Sequence, residues 1–229
     1  MFISLVILGT FWTESFGLLL DGNGPRPSSQ NQQTVGALEE TGWRMIFRAT
    51  SGNGADVYQA WTNGVNITTQ KPTTMDRSYD PHFRDRDVER WDQQNIRYVK
   101  FSLFKQSEEV GYVVFDGTGS TYMSWFDRSR VEASSWSDLT SANTYNFFSI
   151  QGHIDGQNLE RTFFINQVYN GCDADVGNVV VVEHDGGCNW DHQPRYPQFL
   201  YSDMNAADNW NRRMFGRADY LAIFIYAKH

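Results

Sequence analysis

The 229-residue chain is poor in basic residues and has no run of them. Lysine and arginine together number 19 against 27 acidic residues, so the formal net charge is −8. The lysines are scattered along the chain at Lys71, Lys100, Lys105 and Lys228. A protein that binds nucleic acid or an anionic membrane surface needs clustered cations to neutralise phosphates. We therefore expect neither kind of partner.

The sequence also lacks the short motifs of common enzyme sites. It contains no G-x-S-x-G, no H-E-x-x-H and no Walker loop, the patterns that mark nucleophilic, zinc and phosphate sites. Its acidic residues would always supply two carboxylates for glycoside hydrolysis, so their number favours no mechanism. We expect a non-enzymatic protein, and a glycoside-active enzyme that uses two loop carboxylates is the alternative.

Long apolar runs are missing except at the start of the chain. Residues 3–12 form an apolar run that is long enough for a secretory signal and too short to span a bilayer before Glu14. Ser15 and Gly17 are small residues at the −3 and −1 positions of a cut after Gly17. We therefore predict a signal peptide over residues 1–17, a secreted, extracellular protein and no membrane insertion. The alternative is a signal anchor, which would place a carboxylate in the membrane at a cost of about 2.5 to 3.5 kcal/mol.

Cysteine is equally scarce, since Cys172 and Cys188 are the two in the chain. In an oxidising compartment they would form a disulfide that closes a loop of about 16 residues and stabilises the fold by on the order of 3 kcal/mol. Two free thiols in the cytosol are the alternative, and the missing C-x-x-C spacing disfavours zinc.

Asn66 begins an N-glycosylation triplet beside the turn signal of Asn63 and Gly64, which agrees with a secreted protein.

The domain limits follow from where apolar residues begin. Residues 21–33 contain no apolar side chain, so they cannot offset the entropy of ordering them. We predict a flexible N-terminal leader over residues 18–41 and a single folded domain over residues 42–229, because no second linker of this kind occurs.

Strand signals outnumber helical signals in that domain. Composition is typical of a globular chain, with 40% hydrophobic and 20% charged residues, and the 15% of aromatic residues suits a sheet core or a stacking surface. We predict a mainly β, single-domain antiparallel β-sandwich or jelly-roll with a few short helical insertions. The predicted strands cover residues 43–48, 97–104, 110–115, 121–126, 145–152, 162–168, 179–183, 198–201 and 220–226, and the predicted helices cover 55–61, 85–94 and 204–214. Residues 179–182 and 220–226 are apolar on both faces, so each belongs in the middle of a covered sheet.

Acidic residues surround the two cysteines. Carboxylate oxygens are the ligands that calcium requires, and a disulfide would hold several of them in one neighbourhood. Turn-forming Asp and Gly residues explain the same composition without a metal. The candidate calcium ligands are Asp173, Asp175, Glu183 and Asp185.

Three tryptophans lie among Asn, Asp and Ser rather than in strand patterns. An aromatic ring flanked by amide and carboxylate groups suits a sugar, whose apolar face stacks on the ring while its hydroxyls pair with the polar groups. The same tryptophans could instead fill the end of the sandwich. The candidate glycan-binding residues are Trp136, Trp190 and Trp210, with Asn189 and Asp191 beside the second ring.

Four segments resemble a module found in secreted and extracellular-matrix proteins of marine invertebrates. They cover residues 42–50, 162–166 with 171–172, 196–201 and 216–219, and the likeness extends from about Gly42 to the end. These motifs belong to the framework, so the resemblance implies export and domain extent and carries over no site residue.

Our leading interpretation is a secreted, non-enzymatic module that recognises glycans or matrix glycoproteins with the help of calcium. A structural matrix component is a further alternative, and the oligomeric state is left open.

Overall fold

The two strands predicted to be central do lie at the centres of two sheets. β14 (Tyr220–Ala227) pairs with β1 (Arg44–Thr50) on one side and β4 (Ile96–Lys105) on the other. β10 (Val176–Val182) lies in the same way between β9 (Asn158–Val168) and β11 (Gln198–Ser202). Strands with apolar side chains on both faces are stable only where both faces are covered.

The computed structural model describes residues 35–74, 80–155, 158–212 and 214–227. The predicted signal peptide, residues 1–17, and residues 18–34 of the predicted leader lie outside these ranges. In the described ranges two mainly antiparallel sheets pack together, which confirms the predicted β-sandwich. None of the helices there is long and apolar enough to cross a membrane.

The remaining strands of the described residues are β2 (Ile67–Thr68), β3 (His82–Arg84), β5 (Glu108–Asp116), β6 (Val131–Ser134), β7 (Phe147–Ser149), β8 (His153–Asp155), β12 (Asp208–Asn209) and β13 (Phe215–Ala218). The first sheet has the strand order β2-β3-β1-β14-β4-β5-β6, and β2 and β3 run parallel. The second has the order β13-β11-β10-β9-β7, with β8 paired to β9 and β12 paired to β10.

The helices among the described residues are short. They are α1 (Val35–Glu39), α2 (Val57–Asn63) and 3₁₀ helices over Arg86–Gln93, Arg128–Arg130 and Trp210–Arg212. Asp56 caps α2 by accepting a hydrogen bond from the Gln59 backbone N–H at 2.7 Å, and Gly64 ends the helix in the left-handed conformation at φ 65°. α1 lies within the range predicted as leader, and Val35 is buried on the outer face of the first sheet.

Two predicted elements are wrong. Residues 121–126 form turns rather than a strand, because the Thr121 and Ser124 hydroxyls bond to nearby backbone groups. Residues 204–214 do not form one helix, because Asp208 and Asn209 pair with β10 while the Trp210 side chain is buried. In both segments local polar contacts and a buried tryptophan override the apparent periodicity.

Three apolar clusters build the domain. The largest fills the space between the sheets, with Trp61, Phe101, Trp125 and Phe163 at its centre. Each sheet also carries an apolar cluster on its outer face. The outer faces are therefore partly apolar, unlike the polar outer faces of a simple sandwich. Apolar side chains at a surface are candidates for contact with a ligand.

Candidate functional site

The predicted disulfide between Cys172 and Cys188 is present. The two Cα atoms are 5.3 Å apart, and the bond joins the residues before β10 to the segment that follows it. That segment crosses the outer face of the second sheet, where Cys188 and Trp190 pack with Phe164 and Val180. The disulfide thus fixes the returning chain against the sheet, instead of closing a free loop.

The three candidate tryptophans are buried, with exposures of 3% for Trp136 and 1% for Trp190 and Trp210. Trp190 and Trp210 stack on each other with ring centroids 5.7 Å apart. Trp136 lies in the central core and donates from its ring N–H to the Ser202 carbonyl oxygen at 3.0 Å. Because protein atoms cover these rings, they form no platform for a sugar: Trp136 fills the space between the sheets, and Trp190 and Trp210 pack on the outer face of the second sheet.

The polar neighbours of Trp190 are separated from one another. Asn189 is exposed, whereas Asp191 is fully buried and accepts hydrogen bonds from Arg161. The guanidinium of Arg161 lies 4.6 Å from the centroid of the Trp190 ring and also donates to the Tyr169 hydroxyl. Asp191 therefore serves a buried ion pair and is not available to a ligand.

The four candidate calcium ligands do not meet. Asp173 accepts from the side chain of Asn211, and buried Asp175 accepts from the Asn170 backbone N–H. Exposed Asp185 pairs with His192 at 2.6 Å. Glu183 lies beyond the far end of β10, because a strand of seven residues separates it from the first two acids. Within the described ranges no three His, Cys, Asp or Glu side chains are placed to hold a metal ion.

Glu183 has a structural environment of its own. It is buried and accepts hydrogen bonds from the backbone N–H groups of Val57 and Tyr58, at 3.0 and 2.9 Å, and from the Thr162 hydroxyl at 2.9 Å. Burial, with a smaller contribution from the nearby Asp56 carboxylate, raises the pKa of Glu183 to about 8. Glu183 therefore ties the start of α2 to the second sheet.

The candidate glycosylation residue is on the surface. Asn66 is exposed and adopts a positive φ of 55° just after the end of α2. Its exposure leaves room for a sugar chain, and glycosylation itself stays a prediction.

Three aromatic residues and an ion pair form a different group on the outer face of the first sheet. We use the term aromatic face for Trp43, Lys100, Glu109, Tyr112 and Tyr226, which come from the strands β4, β5 and β14 and from the residue before β1. Its floor is formed by buried Val114 and Phe224. Tyr112 and Tyr226 are only partly buried, so part of each ring is open to solvent.

The polar pair of the aromatic face lies among its rings. The Lys100 Nζ is 2.8 Å from Glu109 Oε1 and 5.0 Å from the centroid of the Tyr112 ring. A small cavity of about 10 Å³ is lined by Trp43, Lys100, Glu109 and Phe224. Burial and the Glu109 carboxylate raise the pKa of the Tyr112 hydroxyl, so it stays a neutral donor at physiological pH.

Tyr226 is held in place by its neighbours. Its ring lies edge-on to Trp43, with centroids 5.7 Å apart. A Cβ on Gly42 would lie 2.7 Å from Cε2 of Tyr226, so the glycine, at φ 90°, gives the ring its space. The aromatic face is thus organised before any ligand arrives, which lowers the entropic cost of binding.

The sequence alone does not predict the aromatic face, because its residues lie in separate strand patterns and not beside one another in the chain. The signal that could have found them is the alternation in β4. Val99, Phe101 and Leu103 face the core, whereas Tyr98, Lys100 and Ser102 alternate with them on the other face.

A second depression, of about 280 Å³, lies beside β6, and its lining includes small polar side chains such as Ser134, Ser137 and Thr140 beside apolar ones. Glu132 is the single carboxylate in its lining, and Glu109 is the single carboxylate of the cavity on the aromatic face. Among the described residues that line these two cavities, no pair of carboxylates of the kind that glycoside hydrolysis needs is present.

Comparison of the chain with protein-family models, curated proteins and solved structures gave no match.

Proposed function

We propose that this protein is a secreted, non-enzymatic module that binds glycans or matrix glycoproteins. The observation that carries the proposal is the aromatic face, where partly open tyrosine rings lie beside a hydrogen-bond donor and acceptor. A pyranose ring has an apolar C–H face and a rim of hydroxyls, so it can stack on Tyr112 or Tyr226 while Lys100 and Glu109 bind its hydroxyls.

The disulfide supports the secreted part of the proposal. Disulfides form and persist in oxidising compartments and are rare in the cytosol. The bond between Cys172 and Cys188 holds a chain segment against the second sheet, which is a structural use. A catalytic or sensing disulfide would instead expose a sulfur to an attacking thiol, whereas Cys188 is buried and Cys172 is partly buried.

The test is a glycan array probed with the purified domain, with and without a calcium chelator. We expect binding by the wild-type domain and loss of signal in Tyr112→Ala combined with Tyr226→Ala. Phe215→Ala is the matched control, because Phe215 is a partly buried aromatic residue on the outer face of the other sheet. Loss of the binding signal in the presence of chelator would show that glycan binding requires calcium.

Two results would contradict the proposal. Absence of binding to any glycan in both conditions would favour the alternative function, a structural matrix component. Self-association of the isolated domain would support that alternative. Turnover of a bound oligosaccharide would favour the glycoside-active enzyme instead.

A further inference from the structure

The charges of the aromatic face cancel within the site. Lys100 and Glu109 pair directly, and their side chains are 15% and 25% exposed. Arg44 follows Trp43 in the chain but lies on the opposite face of β1, with its pairing partner Ile225, and there it is bound to Asp87 at 2.9 Å and lies 3.5 Å from Asp85. Recognition of sulfate or carboxylate groups requires cations that are free to form charge-assisted hydrogen bonds, and arginine forks are the usual choice. The five residues of the aromatic face supply no such cation.

The charge of the whole chain acts in the same direction. With a formal net charge of −8, the protein repels a polyanion at long range. A glycan that carries sulfate or uronate groups would therefore be repelled by the net negative charge as it approaches the protein. On contact it would find Lys100 already paired with Glu109.

The spacing of the two open rings sets the length of the ligand. Tyr226 pairs with Tyr98, and Tyr112 pairs with Ser102, so β4 lies between the two tyrosines. Two strand spacings of about 4.8 Å and four residues of about 3.4 Å along the strand place their Cα atoms roughly 17 Å apart. A single sugar ring cannot contact both tyrosines over this distance, whereas an extended oligosaccharide can.

We infer that the ligand of the aromatic face is an extended, uncharged oligosaccharide that lies diagonally across β14, β4 and β5. This inference rests on the proposed function and narrows it to a class of glycan. Tyr112 and Tyr226 stack on separate sugar rings of one chain. Lys100 donates to a hydroxyl between them, and Glu109 accepts from one.

The test is isothermal titration calorimetry with defined sugars. The probes are linear neutral hexasaccharides of glucose, mannose, xylose and N-acetylglucosamine, the corresponding monosaccharides, heparin, and a sulfated form of whichever hexasaccharide binds. We expect binding of a neutral hexasaccharide that changes little with added salt, because screening acts on charged contacts. We expect weaker binding of its sulfated form and of the monosaccharide.

Variants assign that binding to the aromatic face. Tyr112→Ala and Tyr226→Ala should each lower the affinity roughly 3- to 10-fold, the range expected for loss of one aromatic contact. Tyr112→Phe keeps the ring and should bind within about 2-fold of wild type, and Phe215→Ala should bind as wild type. Melting curves show whether each variant is folded.

The outcomes separate this inference from the proposed function. Salt-dependent binding of heparin without binding of any neutral chain would overturn the inference and leave the proposed function standing. Binding of a neutral hexasaccharide that Tyr112→Ala and Tyr226→Ala do not change would also overturn it, because the ligand would then bind elsewhere. Absence of binding to every sugar would overturn both.

Discussion

Arg161 and Asp191 form a fully buried ion pair beneath the disulfide. Arg161 donates from Nε and Nη2 to Asp191 Oδ2, and Asp191 Oδ1 accepts from the Cys188 backbone N–H at 3.0 Å. The pair therefore connects β9 to the segment that carries the second cysteine. Removal of one partner leaves an uncompensated charge in the interior, which costs far more than the loss of an exposed pair.

We predict that Asp191→Ala lowers the free energy of unfolding by about 3 to 5 kcal/mol, measured by urea denaturation. Asp185→Ala is the control, because it removes a partner of His192 from an exposed ion pair in the same segment. A much smaller effect of the control is expected. Equal effects of the two substitutions would contradict the structural role of the buried pair.

The disulfide should contribute to stability without contributing to ligand binding. We predict that Cys172→Ser combined with Cys188→Ser lowers the free energy of unfolding by on the order of 3 kcal/mol. Glycan affinity of the folded double variant should be unchanged, because the aromatic face belongs to the other sheet. Loss of affinity in this variant below its melting temperature would place the binding site near the disulfide instead.

Glu183 makes stability depend on pH in a definite direction. Its folded-state pKa of about 8 lies above the ordinary glutamate value of 4.5, so the folded protein binds an extra proton between these values. The contribution of Glu183 to the free energy of unfolding should therefore fall as pH rises from about 5 to about 8. The side chain in Glu183→Gln cannot titrate. The unfolding free energy of this variant should therefore rise relative to that of wild type as pH increases from about 5 to about 8.

The comparison with Glu183→Gln is needed because His82 also titrates. Burial lowers the pKa of His82, which accepts from the Thr50 backbone N–H and bonds to the Ala55 carbonyl oxygen. Its contribution is present above the ordinary histidine pKa of 6.5 and is lost as pH falls. Since His82 is present in both proteins, its effect cancels in the difference. A difference in unfolding free energy that does not change between pH 5 and 8 would contradict the raised pKa of Glu183.

Calcium should leave the stability of the domain unchanged. Asp173, Asp175, Glu183 and Asp185 each have a separate hydrogen-bond partner and do not converge. A ligand that binds the folded state alone raises the melting temperature, so we predict equal melting curves with millimolar calcium and with chelator. A calcium-dependent rise in melting temperature would show that these acids rearrange around the ion.

The sequence was sufficient for features that depend on local pattern. β14 and β10 could be placed at sheet centres because their apolar residues occupy both faces. The short polar segment 105–109 between the predicted strands 97–104 and 110–115 indicates a hairpin, which β4 and β5 form. In the structure Gln106 and Ser107 form that turn with positive φ values of 52° and 68°, as tight hairpins require. The disulfide was also predictable, because the chain offers a single pairing.

The candidate site depended on contacts between distant segments. The polar neighbours of Trp190 and Trp210 in the chain do not reveal that the two rings stack on each other in the interior. The acids on the two sides of β10 are close in sequence, yet an extended strand separates them. The aromatic face combines three strands and the residue before a fourth, so it becomes visible only once the order of the strands is known.

The most direct test of the account is a titration of the isotope-labelled domain with a neutral linear hexasaccharide that it binds, followed by nuclear magnetic resonance. We predict that the largest chemical-shift changes fall on Lys100, Glu109, Tyr112 and Tyr226 and on their neighbours in β4, β5 and β14. The residues around Cys172 and Cys188 should be unaffected. Shift changes that cluster at the cysteine segment and leave the aromatic face unchanged would contradict the account.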